Sequence, residues 1–182
     1  MLRYDRKRAP RWLRRWVPNE YVRSIVEIAP EMLHAKGIRA LLLDLDNTLT
    51  PWRSRQVPPE VEAWVRQMQA SGIALCFVSN TRNMTRLKWL SEHLGIPYVR
   101  GPMKPRRAML RRALDKLGVS PENAAIVGDQ LFTDIWGGNR LGLYTIWVHP
   151  MHPHEFIGTK ISRLVERWIL RRIEPYRIQE RT

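Results

Sequence analysis

Cysteine is nearly absent from this chain, acids are scarce, and no long apolar run interrupts it. The single cysteine, Cys76, lies inside the run GIALCFV. It excludes an intramolecular disulfide and reads as a small buried hydrophobe in a reducing compartment. No segment approaches the roughly 20 apolar residues of a membrane-spanning helix. The basic start is not followed by the apolar stretch of a secretory signal. The expectation is a soluble cytoplasmic protein, or one peripheral on the inner face of the cell membrane. There is no internal repeat and no low-complexity tract. What is present in excess is positive charge: 31 Lys and Arg against 17 acids, a formal net charge of +14. Such a balance favours polyanionic partners, whether nucleic acid, ribosome or an anionic membrane surface. With 44% hydrophobic residues over a length of 182, the chain has the composition of one folded domain.

The charge is unevenly placed. Residues 1–16 hold seven Lys or Arg against Asp5, and a second acid-free stretch runs from Arg100 through Lys104, Arg106, Arg107, Arg111 and Arg112. Between Ile38 and Val148, short apolar runs alternate with amphipathic stretches. IRALLLDLD, GIALCFVSN, IPYV, NAAIVGD and LYTIWV have the length and branching of buried parallel strands. Helices are predicted from Pro58 to Ala70, Asn83 to Leu94, Pro105 to Leu117 and Phe132 to Leu141, each closed by glycine. The pattern predicts an α/β fold, a Rossmann-like parallel sheet with helices on both faces. Three regions follow: a basic Trp/Arg-rich arm and helix over 1–36, an α/β core over 37–150, and an amphipathic basic helix and tail over 151–182. The arm's first 16 residues read as mobile, and a helix is predicted from Asn19 to Ile28. The C-terminal helix places Ile157, Ile161, Leu164, Val165, Trp168 and Ile169 at helical spacing.

Open α/β sheets carry their sites at the carboxyl ends of strands. The first predicted core strand ends in Asp44-Leu45-Asp46-Asn47-Thr48, and in an extended end positions 44 and 46 face the same side. Paired carboxylates repel unless a cation or proton intervenes. Beside a magnesium ion, one can stay ionised as a nucleophile while the other handles protons. The next strand ends in Ser79-Asn80, Lys104 follows IPYV, and Gly128-Asp129 with Asp134 closes the fourth. Each feature alone is common. Together they supply a nucleophile, an acid, a cation site and charge compensation for phosphoryl transfer.

DLDNTLT (44–50), VSNT (78–81), Lys104-Pro105 and GDQLFTD (128–134) resemble, in order, the four motifs of the haloacid dehalogenase superfamily. The resemblance implies Asp44 as nucleophile and Asp46 as the acid that protonates the leaving group and then activates water. It implies that Thr48 steadies the motif turn and that Ser79 and Lys104 bind the phosphoryl group, with Asn80 a further contact. Magnesium is expected on Asp44 and Asp129 with the main-chain carbonyl of Asp46, supported by Asp134. The segments 50–72 and 81–104 leave no room for a cap domain, so the site is expected to be open. The flanks PNEYVRSIVEIAPEML and TKISRLVERWILRRI, with GDQLFTDIWGGNRLG, resemble the YqeG family, a class IIIA branch related to mitochondrial phosphatidylglycerophosphate phosphatase. That resemblance implies dephosphorylation of a phosphorylated lipid headgroup, phosphatidylglycerophosphate, on the way to phosphatidylglycerol and cardiolipin. The basic arm and Trp12, Trp16, Trp52 and Trp168 suit an anionic bilayer surface. The rival reading is a nucleic-acid- or ribosome-associated protein acting on nucleotides or RNA ends, since Arg and Trp also serve single-stranded nucleic acid. A phosphatase of small phosphomonoesters is the third. His149, His152 and His154 read as a solvated loop, and Gly137-Gly138 as a close helix contact.

Overall fold

The computed structural model describes residues 1–101, 104–151 and 168–178. Its centre is a sheet of seven strands: β1 (Leu2–Tyr4), β2 (Glu20–Val22), β3 (Ala40–Leu43), β4 (Ala74–Phe77), β5 (Ala124–Gly128), β6 (Tyr144–Val148) and β7 (Arg177–Ile178). Their order is β4-β3-β5-β6-β2-β1-β7. The five strands from β4 to β2 run parallel, while β1 and β7 turn the edge antiparallel. The helices are α1 (Pro30–Ala35), α2 (Pro59–Ala70), α3 (Met84–Leu94), α4 (Arg107–Leu117) and α5 (Trp136–Leu141). Residues 168–173 are also helical.

The period-two alternation of the strands sorts the core into two layers. Leu41, Leu43, Leu75, Phe77, Ala125 and Val127 face a cluster built with α2 and α3. Ala40, Leu42, Cys76, Ala124 and Ile126 face one built with α4. Both faces are apolar because both are covered, as parallel sheets require. Gly138 lets α5 approach the sheet: a Cβ there would overlap the methyl groups of Ile126 and Thr145. The double glycine is therefore a packing contact, as its position inside a helical pattern implied.

Three local expectations are corrected. Residues 19–28 do not form a helix. Glu20–Val22 is a strand beside β6, followed by a 3-10 turn at Ile25–Glu27. Val22 and Ile25 are buried as helical spacing also required, but Val26 is 39% exposed, and parallel pairing with β6 decides the local state. IPYV makes only an isolated bridge between Phe77 and Tyr98, since Pro97 has no N–H for a ladder. The first 16 residues are held: β1 pairs with β2, and Ala9 and Leu13 are buried with Leu131, Ile135 and Ile169. Of the C-terminal helix, Ile169 and Ile173 pack into that cluster. Its predicted stripe from Ile157 to Val165, like His152 and His154, lies outside the described residues.

The chain runs from β3 through α2 to β4 on one side, then returns past β3 to β5 on the other. This reversal opens a crevice at the carboxyl end of β3. Among the described residues, no cap is inserted there: 51–58 is a loop, and 81–101 holds α3 and the Tyr98 bridge.

Candidate active site

Asp44 follows β3 directly, its amide donating to the Val127 carbonyl of β5 at 2.9 Å, so the sheet itself fixes its position. Lys104 Nζ donates to Asp44 Oδ1 at 2.6 Å and to Asp134 Oδ1 at 2.6 Å. All three side chains are buried. Asp129, at the end of β5, completes the cluster: carboxylate oxygens of Asp44, Asp129 and Asp134 lie within 4.8 Å of one another. Asp134 rides on a π-helical turn, Leu131–Ile135, and its Oδ2 accepts from the Gln130 amide at 3.1 Å. It lies across the Cα of Gly128, where a Cβ would collide with its carboxylate. Glycine at 128 is thus a condition for the second acidic pair.

The electrostatics follow from burial. Burial pushes the Asp44 carboxyl up to about 7, with Lys104 opposing the rise and Asp134 and Asp46 adding to it. Burial alone would lower Lys104, but Asp134 and Asp44 outweigh it and hold the ammonium above its usual range. Three buried carboxylates against one ammonium leave negative charge in excess. All-oxygen donors at this spacing fit a hard divalent cation, which would favour the ionised form of Asp44.

Asp46 stands apart from the cluster, one-fifth exposed. Its Oδ1 accepts from the Arg53 amide at 2.8 Å and lies 2.9 Å from an Arg86 guanidinium nitrogen. Arg86 is 1% exposed, and it also donates to Thr50 Oγ1 and to the Ser54 carbonyl, each at 2.6 Å. One buried cation therefore ties the loop after the first motif to the side chain of Asp46. Arg53 is held at φ 56°, a left-handed conformation uncommon for a bulky residue. The sequence reading did not single out Arg86. The available signal was an arginine on the stripe of α3 that also carries Leu87, Leu90 and Leu94.

The remaining predicted residues are close by. Thr48 is fully buried in the motif turn, and Thr50, whose amide donates to the Leu45 carbonyl, closes it. Ser79 Oγ accepts from the Thr81 amide at 3.3 Å. Asn80 clamps the main chain of Lys104: its Oδ1 accepts from Lys104 N at 2.7 Å and its Nδ2 donates to Lys104 O at 3.2 Å. The Lys104-Pro105 peptide is cis. An open cleft is lined by Asp44, Asp46, Trp52, Arg53, Ser79 and Asn80 among others. Asp44, Asp46, Ser79, Asn80, Lys104, Asp129 and Asp134 thus converge on one strand-end crevice. His149 belongs elsewhere, with Nδ1 3.1 Å from the Tyr21 hydroxyl.

Comparison with known proteins agrees with this geometry. The HAD-hydrolase-like family model matches residues 102–150. The probable phosphatase YqeG of Bacillus subtilis is 38% identical over 155 residues, covering 85% of this chain and 90% of that protein. The mitochondrial phosphatidylglycerophosphatase of Saccharomyces cerevisiae is 32% identical over 139 residues, covering 69% of this chain and 71% of its own length. Among solved structures, the cobalt-bound deoxy-D-mannose-octulosonate 8-phosphate phosphatase of Haemophilus influenzae superposes with a TM-score of 0.51 at 16% identity. It covers 62% of this chain and 69% of that one, a likeness of fold. The chain belongs to the haloacid dehalogenase superfamily, in the YqeG branch of its phosphatases.

Proposed function

We propose that this phosphatase is magnesium-dependent, works through an aspartyl-phosphate on Asp44, and dephosphorylates phosphatidylglycerophosphate at an anionic membrane surface. The observation that carries the mechanism is the buried carboxylate of Asp44 at the floor of an open cleft, in contact with Lys104 and beside Asp129 and Asp134. The relatives' substrate supports the lipid assignment.

Asp44, Asp129 and the main-chain carbonyl of Asp46 would hold the magnesium ion, with Asp134 supporting them. When bound, the ion compensates charge on the phosphoryl oxygens. An Asp44 carboxylate oxygen attacks phosphorus, and the bond from phosphorus to the glycerol oxygen breaks. Asp46 delivers its proton to that oxygen, releasing phosphatidylglycerol. Asp46 then takes a proton from water, whose oxygen attacks the acyl phosphate, freeing inorganic phosphate and restoring Asp44. Ser79 and Lys104 hold the equatorial oxygens. Asn80 acts on the same oxygens through Lys104, whose main chain it fixes. Thr48 steadies the motif turn that follows Asp46.

No helix among the described residues is long and apolar enough to cross a membrane. Surface attachment is supported by an exposed aromatic–cationic group: Trp12 and Trp168 are about half exposed, and the Arg172 guanidinium lies over both rings, at 5.8 and 4.1 Å. The test is phosphate release from phosphatidylglycerophosphate in mixed micelles with magnesium, with Asp44→Asn as control. Release that requires both the metal and Asp44 is expected. Hydrolysis of an aryl phosphate but not of the lipid would overturn the lipid assignment and leave the mechanism standing. Salt-dependent action on a phosphorylated RNA end would favour the nucleic-acid reading instead.

A further inference from the structure

Beside the catalytic cleft lies a second open groove that the mechanism does not use. The two share one wall, Ser79-Asn80-Thr81-Arg82. Arg82 of that wall and Arg100 beyond it join an apolar lining of Met84, Leu87, Val99 and Met109, and among the described residues no acidic side chain lines the groove. Both arginines are exposed. The Arg100 main chain is pinned by Arg112, whose guanidinium donates to the Arg100 carbonyl at 2.9 Å. Gly101 adds no side chain to the adjoining wall, where a Cβ would come within 3.3 Å of the Arg112 guanidinium.

We propose that this groove is a second anion subsite, binding the phosphodiester of a substrate that carries two phosphates joined by one glycerol unit. The proposal rests on the phosphatidylglycerophosphate reading and adds what would recognise the part of the substrate that does not react. A phosphomonoester over Asp44 has room to lay the rest of its molecule along the shared wall. Two guanidiniums with no acid beside them among the described lining residues are suited to a second phosphate, which arginine binds through paired N–H donors. The apolar lining beyond them suits the start of a diacylglycerol, and it favours a lipid over a nucleotide chain, whose sugar and base edges are polar. A capless site gains its selectivity from such a neighbouring contact, because binding energy far from phosphorus can orient the reacting group.

The experiment compares wild type with Arg82→Gln/Arg100→Gln on four substrates: phosphatidylglycerophosphate and phosphatidate in mixed micelles, an aryl phosphate, and a 5′-phosphorylated oligonucleotide. Both positions are exposed, and thermal denaturation verifies that the variant folds. The expected result is a fall in kcat/KM on phosphatidylglycerophosphate at least tenfold larger than on phosphatidate or the aryl phosphate, expressed in kcat as well as in KM. Equal falls on all four substrates, or none, would overturn the subsite while leaving the lipid assignment intact. A selective fall on the oligonucleotide alone would overturn it in favour of nucleic acid. A wild type that hydrolyses the aryl phosphate and not phosphatidylglycerophosphate removes the lipid reading, and the subsite with it.

Discussion

Replacing Arg86 by methionine removes a buried cation of similar length and tests whether one side chain holds both the loop and the proton-handling aspartate. Two charge-assisted hydrogen bonds are lost, to Thr50 Oγ1 and the Ser54 carbonyl, together with the 2.9 Å ion pair to Asp46. Bonds of this kind contribute about 1.5–3 kcal/mol each, and breaking a fully buried pair costs about 3–5 kcal/mol. Asp46 is one-fifth exposed, so water recovers part of its solvation and the lower end applies. A loss of about 3 kcal/mol corresponds to a fall in Tm of about 6–12 °C for a chain of this size. General acid–base catalysis is typically worth about 100-fold or more. An Asp46 freed from its anchor should therefore lower kcat on phosphatidylglycerophosphate by at least about tenfold. Arg86→Lys retains a charge near Asp46 without the fork that reaches Thr50 and Ser54, and should recover part of the activity but less of the stability. Calorimetry and steady-state kinetics read the two effects separately. A Tm and kcat both unchanged in Arg86→Met would refute the argument. A lowered Tm with full kcat would show that Arg86 holds the loop and not the acid.

Other expectations follow from the same geometry. Gly128→Ala should cost about 2 kcal/mol or more, because its Cβ would occupy the Asp134 carboxylate, and magnesium should protect the variant from thermal unfolding less than it protects wild type. Lys104→Met leaves three buried carboxylates without their ammonium, so the metal-free variant should melt well below wild type and regain more of its Tm on adding magnesium. Equal metal responses in the two proteins would contradict that. Cys76 is fully buried and its thiol is pushed up to about 11 by burial, so a disulfide reagent at pH 8 should label the native protein far more slowly than the unfolded chain.

Much of this was legible in the sequence because its signals are local. A parallel strand buried on both faces must be a short apolar run, so ALLL, ALCF and AAIVG announce themselves at β3, β4 and β5. Three of the four motifs follow because their chemical groups sit at the ends of such runs, and strand ends converge whatever lies between them; Lys104 instead sits in a turn after the isolated bridge at Tyr98. Residues 19–28 misled the pattern because Val22 and Ile25 satisfy helical spacing and a strand-plus-turn equally well; pairing with β6 settles the matter. The N-terminal arm read as mobile because arginines between isolated Leu and Trp carry no periodicity. Burying Ala9 and Leu13 depends on partners as distant as Leu131 and Ile169.

Arg86 marks the boundary most clearly. Nothing within its own helix explains a buried arginine, and its partners Thr50, Ser54 and Asp46 lie more than thirty residues earlier. The order of the motifs and the α/β alternation are properties of neighbouring residues, so the chain alone determined them. The bidentate grip of Asn80 on Lys104, the lysine shared between Asp44 and Asp134, and the anchoring of Asp46 are contacts between remote segments. Desolvation makes such contacts strong only once the sheet has brought them together and excluded water, and that was decided by the tertiary structure.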